Sequence, residues 1–73
     1  MAFVRKRSVT IRGHRTSFSL EQAFFDELQA IATARGQKLA ALIAEIDAAR
    51  PREANLSAAL RVFVLDWVQR SRK

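Results

Sequence analysis

The chain has 73 residues, enough for one domain, and a domain this small buries only about 60% of the surface that its unfolded chain exposes. It has no cysteine, so neither a disulfide nor a cysteine-based zinc site can staple it, and a partner subunit is the expected source of extra stability. The net charge is +6, and it sits at the ends: residues 1–20 hold Arg5, Lys6, Arg7, Arg12 and Arg15 with no acid, residues 70–73 add Arg70, Arg72 and Lys73, and all seven acids lie in between. Such an asymmetry points to a polyanionic partner, through steering and counterion release.

Residues 1–14 read as a basic N-terminal arm. Within it Ser8-Val9-Thr10-Ile11 alternates and is β-branched, so a brief strand is open there, and Gly13 permits a turn or bulge. Residues 15–19 alternate apolar and polar side chains, as in a short strand with one wet face. Ser19-Leu20-Glu21-Gln22 has the form of a capping box, with Ser19 as N-cap, and predicts a first helix over 20–35. Phe24, Phe25, Leu28, Ile31 and Ala32 repeat on one face of that helix, and Gly36 suits its left-handed end. A second helix is predicted over 38–49, with Leu39, Leu42, Ile43 and Ile46 as its apolar stripe and Pro51 as its stop. Asn55 is the expected N-cap of a third helix over 56–70. Leu56, Leu60, Phe63, Val64 and Trp67 line one side of it, and Val62 and Leu65 fall nearer the other. So wide an apolar arc in so short a chain again argues for an oligomer.

The order strand, helix, Gly, helix resembles the ribbon-helix-helix family of bacterial DNA-binding proteins. The resemblance is carried by Arg15-Thr16-Ser17-Phe18-Ser19-Leu20, the Phe24 to Ala32 helix, the Ala34-Arg35-Gly36 turn and Leu39, Leu42 and Ile43. A longer pattern over residues 5–68, with Gly13-His14-Arg15-Thr16-Ser17 and Asn55-Leu56-Ser57, is similar to a small subfamily with an extra C-terminal helix. The resemblance implies a mostly α fold with one short β-strand, paired antiparallel with the same strand of a second subunit, plus a third helix. It implies a homodimer, able to assemble further on DNA, whose two-stranded ribbon enters the major groove of double-stranded DNA.

Carried over residue by residue, the resemblance makes Arg15, Ser17 and Ser19 the base readers, with Ser19 ranked below Ser17 because its hydroxyl is also the expected helix cap. Arg5, Lys6, Arg7, Arg12 and His14 become phosphate or arm contacts. Lys38, at the start of the second helix, replaces the hydroxyl residue frequent in the family's phosphate clamp. Phe18, Leu20, Phe24, Leu28, Leu42, Ile43 and Ile46 become the dimer core.

The expected function is a transcriptional repressor. The alternative is an antitoxin-like interaction module that grips a protein partner with the C-terminal helix through Val62 and Leu65. No nucleophile–base pair, glycine-rich phosphate loop or paired carboxylates stand out, so neither enzyme activity nor a cofactor is expected. A lone His without cysteine makes a poor metal site. No stretch is long enough to span a membrane, and Met1 to Val4 is too short for a signal peptide, so the expected location is the cytoplasm.

Overall fold

The computed structural model describes residues 4–71; Met1 to Phe3 of the basic arm, and Arg72 and Lys73 of the basic C-terminal end, lie outside the described residues. Two antiparallel strands, β1 (Val4–Ile11) and β2 (His14–Glu21), are followed by three helices, α1 (Gln22–Ala34), α2 (Leu39–Ala49) and α3 (Leu56–Ser71). This is a ribbon-helix-helix arrangement with a third helix.

The strands form a hairpin within one chain. Residues 4–11 are therefore not an arm, and the sheet has two strands rather than one. The reason is local. The alternation of exposed and inward positions in Ser8 to Ile11 runs back to Lys6 and Arg7, the strand itself to Val4, and Arg12-Gly13 makes a two-residue turn with φ of 52° and 79°. Positive φ at both central residues is the type I′ geometry whose twist matches a hairpin. Gly13 adopts it freely; Arg12 does so as an uncommon non-glycine residue.

Register then fixes the faces. Ile11 opposes His14, Val9 opposes Thr16, Arg7 opposes Phe18 and Arg5 opposes Leu20. Side chains opposite one another share a face. Ile11, Phe18 and Leu20 of this set are buried, so this is the core face.

Helix α1 begins one residue after Glu21, which has extended φ and ψ and makes no side-chain cap hydrogen bond. Ser19 is a strand residue, so the expected capping box does not form. The apolar alternation of Phe18 and Leu20 holds the backbone extended through Ser19 because both side chains are needed in the core. At the other end Gly36 (φ 68°) completes a Schellman motif, with its N–H on the Thr33 carbonyl (3.0 Å) and that of Gln37 on the Ala32 carbonyl (2.8 Å). Arg50 is extended before Pro51, and the Asn55 side chain caps α3 by accepting from the Ala58 N–H (2.8 Å).

Leu28, Ile31 and Ala32 of α1, Leu42, Ile43 and Ile46 of α2, and Leu56, Leu60 and Val64 of α3 complete the core with the hairpin residues. Of the residues expected in a dimer core, Phe18, Leu20, Leu28, Leu42, Ile43 and Ile46 are thus buried by their own chain, and Phe24 is half-buried against them. Phe63 and Trp67 stack beside the core with ring centroids 6.5 Å apart.

Candidate functional site

The hairpin's other face is wet. Thr10 opposes Arg15, Ser8 opposes Ser17, and Lys6 opposes Ser19. All but Ser19 are exposed, and Ser19 is half-buried. Lys6, Ser8, Arg15, Thr16 and Ser17 line a shallow depression of about 290 Å³. The face therefore offers two cations set among hydroxyls, on a rigid pleated backbone. Its one acid, Glu21, is at the far end and is already paired with Arg61 (3.0 Å). Hydroxyls can donate or accept, and a guanidinium donates a two-pronged pair, so the face suits an anionic ligand with mixed donors and acceptors.

Arg15, Ser17 and Ser19 are together on this face as the resemblance implies, and β1 adds Lys6, Ser8 and Thr10. Ser8 and Thr10 are not among the expected contacts, and their alternation with Val9 and Ile11 is the sequence signal for their place on this face. The remaining basic residues disperse. Arg12 is exposed at the hairpin tip. Arg5 and His14 belong by register to the core-side face, though at exposed positions. Lys38 is exposed at the N-cap of α2; its carbonyl accepts from the Ala41 and Leu42 N–H groups, and its side chain makes no cap.

Arg7 is committed elsewhere. Its guanidinium carbon lies 3.9 Å from the centre of the Phe25 ring, and it donates to Gln22 Oε1 (3.0 Å). Gln22 in turn donates to Asp26 (2.7 Å). The half-buried Arg7 thus ties β1 to α1 through a cation–π contact and a hydrogen bond, facing away from Lys6 and Arg15.

Helix α3 reaches the outer edge of β2. The Ser19 N–H donates to Ser57 Oγ (2.8 Å), the Ser19 carbonyl accepts from Arg61 (3.4 Å), and Arg61 Nε donates to Glu21 Oε1 (3.0 Å). A hydrogen bond from its own backbone N–H, and the Arg61 guanidinium, hold the Glu21 carboxyl below the ordinary carboxylate range. In α2, Glu45 is lowered by a hydrogen bond from Gln37 and by Arg35, whose guanidinium is 3.0 Å away. Neither clasp carried a sequence signal, since 40 residues separate Arg61 from Glu21 in one of them.

A second concavity, of about 580 Å³, lies between α2 and α3, with Ile46, Ala59, Val62 and Phe63 among its walls. Val62 in that wall, and Leu65 three residues on along α3, are 66% and 53% exposed. Among the described residues no group of three or more His, Cys, Asp and Glu could hold a metal ion, and no helix is long and apolar enough to cross a membrane.

A two-stranded ribbon, two helices joined by a glycine turn, and a polar ribbon face opposed to an apolar one define the class. The family model described as "Ribbon-helix-helix domain" matches residues 4–68, and the chain belongs to that family. Neither a curated protein nor a solved structure matches it significantly.

Proposed function

We propose that the chain is a sequence-specific binder of double-stranded DNA that acts as a homodimer, with transcriptional repression as its role. The observation that carries this reading is the wet face of the hairpin, where Lys6 and Arg15 stand among Ser8, Thr10, Ser17 and Ser19 with the only acid neutralised by Arg61. Membership of the ribbon-helix-helix family supports it.

In the mechanism, β2 strands of two copies lie side by side in the major groove, which admits a two-stranded ribbon. Arg15 grips the O6 and N7 acceptors of a guanine, and Ser17 is a permissive reader beside it. Ser19, its hydroxyl not spent on a helix cap, is available as a third. Sheet twist turns the flanking β1 strands toward the groove walls, where Lys6 meets phosphate. Arg5, Arg12, His14 and Lys38 add backbone contacts outside the ribbon face, and Lys38 stands beside the free N–H groups that open α2.

The test is selection from a pool of random duplexes across a salt titration, with sequencing of the retained DNA. A short two-fold symmetric motif that is lost in Arg15→Ala is the expected result. Steep salt dependence with no enriched motif would reduce the face to an electrostatic anchor.

The antitoxin-like reading has the exposed Val62 and Leu65 in its favour. In that case α3 grips a protein partner beside the groove between α2 and α3, and the salt titration yields no motif.

A further inference from the structure

The hairpin has two outer edges, and they are not equivalent. In a two-residue hairpin the closing pair, here Ile11 and His14, is hydrogen-bonded, and bonded and non-bonded pairs alternate from there. The backbone N–H and C=O groups of His14, Thr16, Phe18 and Leu20 therefore point at β1. Those of Arg15, Ser17, Ser19 and Glu21 point outward. The contacts of Ser19 agree, because its N–H and carbonyl go to Ser57 and Arg61 of α3 rather than to β1.

Helix α3 thus closes the β2 edge from Ser19 onward. Outward backbone groups remain open only at Arg15 and Ser17. The β1 edge is open over Val4, Lys6, Ser8 and Thr10, but it runs through Arg5-Lys6-Arg7, and like charges brought across a strand pair oppose pairing.

We infer that Ser57 and Arg61 are positioning residues that set the register of pairing between the β2 strands of two copies, with the two-fold axis at Thr16. This deepens the homodimeric reading above and rests on it. Antiparallel self-pairing has three registers that use the open residues. Centring on Arg15 sets the Arg15 residues of the two copies against each other and places Ser17 opposite Gly13 in the turn. Centring on Ser17 needs Arg15 to bond with Ser19, whose backbone groups α3 already holds. Centring on Thr16 pairs Arg15 of each copy with Ser17 of the other, uses every open group, and opposes no two like charges. Its consequence for recognition is geometric: the spacing between the two Arg15 side chains, and so between the half-sites they read, follows from where α3 stops the ladder.

Cross-linking of single-cysteine variants tests this directly, because the chain has no cysteine of its own. In the register centred on Thr16, the two Thr16 Cα atoms form a non-hydrogen-bonded pair about 4.5 Å apart, within disulfide reach. The two Ser17 Cα atoms are then offset by two residues, roughly 8–9 Å apart, beyond bridging. Under mild oxidation Thr16→Cys is expected to give a covalent dimer, while Arg15→Cys and Ser17→Cys stay monomeric on a denaturing gel. Adding Ser57→Ala and Arg61→Ala frees Ser19, and the cross-link then moves to Ser17→Cys as the ladder slides to the longer register. Should the double change unfold the chain, Ser57→Ala alone carries the second arm, and the first arm needs no change in α3.

A cross-link at Ser17→Cys or Arg15→Cys with α3 intact overturns the inference, as does a pattern unmoved by freeing Ser19. In both cases a dimer that still selects a DNA motif leaves the proposed function standing. A monomer at concentrations that bind DNA removes the dimeric reading, and the inference with it.

Discussion

Lys6 and Arg7 are neighbours, both basic, both on β1, and they face opposite sides of the hairpin. Lys6 shares its face with Ser8, Thr10, Arg15, Ser17 and Ser19. Arg7 lies over Phe25 and bonds Gln22. Charge alone cannot separate them, and strand parity does. The comparison extends to the whole ribbon: one face holds Ile11, Phe18 and Leu20 in the core, and the other keeps its polar groups available. The core face and the wet face are thus built from alternate residues of the same eight-residue strands.

The largest effect that sharpens this division is expected on the core face. Leu20 is fully buried. Leu20→Ala leaves a cavity and should cost about 2–5 kcal/mol of unfolding free energy in urea titrations. DNA binding measured where the variant is still folded should be nearly unchanged. A large loss of affinity in the folded variant would mean that the two faces are not separable.

Next comes Arg15→Ala on the wet face. It is expected to cost about 1–3 kcal/mol of binding to the selected motif and to relax the choice of base, with the thermal midpoint unmoved. Equal losses on selected and random duplexes would make Arg15 a backbone contact instead of a reader.

The neighbours themselves give the sharpest contrast. Lys6→Ala should weaken all sequences alike and reduce the salt slope by about 1, without a stability change. Arg7→Ala should do the reverse: lose about 1 kcal/mol of stability with the cation–π contact and the Gln22 hydrogen bond, and leave the salt slope where it was. If both variants lower the slope, Arg7 leaves Phe25 when DNA binds.

How much of this was legible in the sequence follows from the range of each signal. The helices were readable because their signals are local: three- and four-residue spacing, Gly36 at a left-handed end, Asn55 at a cap, Pro51 as a stop. The joint placement of Arg15, Ser17 and Ser19 was readable from period two and from the family resemblance. The hairpin was only half visible. Arg12-Gly13 is a weaker turn signal than Asn-Gly, and the basic run Arg5-Lys6-Arg7 masked the alternation that places Arg7 inward and Lys6 outward. Ser19 misled because Ser followed three residues later by Gln is also what a helix start looks like, and only the burial of Leu20 decides for the strand. The contacts of Ser57 and Arg61 with β2 cross most of the chain and have no local signature.

The smallest effect concerns pH, and it separates the two clasps from the faces they flank. Glu21 and Glu45 both have carboxyls held below their ordinary range, Glu21 by its own backbone N–H and Arg61, Glu45 by Gln37 and Arg35. A carboxyl lowered in the folded state stabilises it fully above the unfolded value, and that contribution fades as pH falls through the lowered one. Stability should therefore be flat at neutral pH and decline on acidification below the ordinary carboxylate range. Glu21→Gln should flatten part of that decline, because it removes a group whose proton affinity changes on folding. Glu45→Gln should flatten another part independently, since the two acids share no partner. The two variants diverge at the ribbon. Only Glu21 orients the arginine that also meets the Ser19 carbonyl, so only Glu21→Gln should loosen the β2 edge, read as faster amide exchange at Ser19. Equal exchange at Ser19 in both variants would mean that Ser57 alone holds that edge.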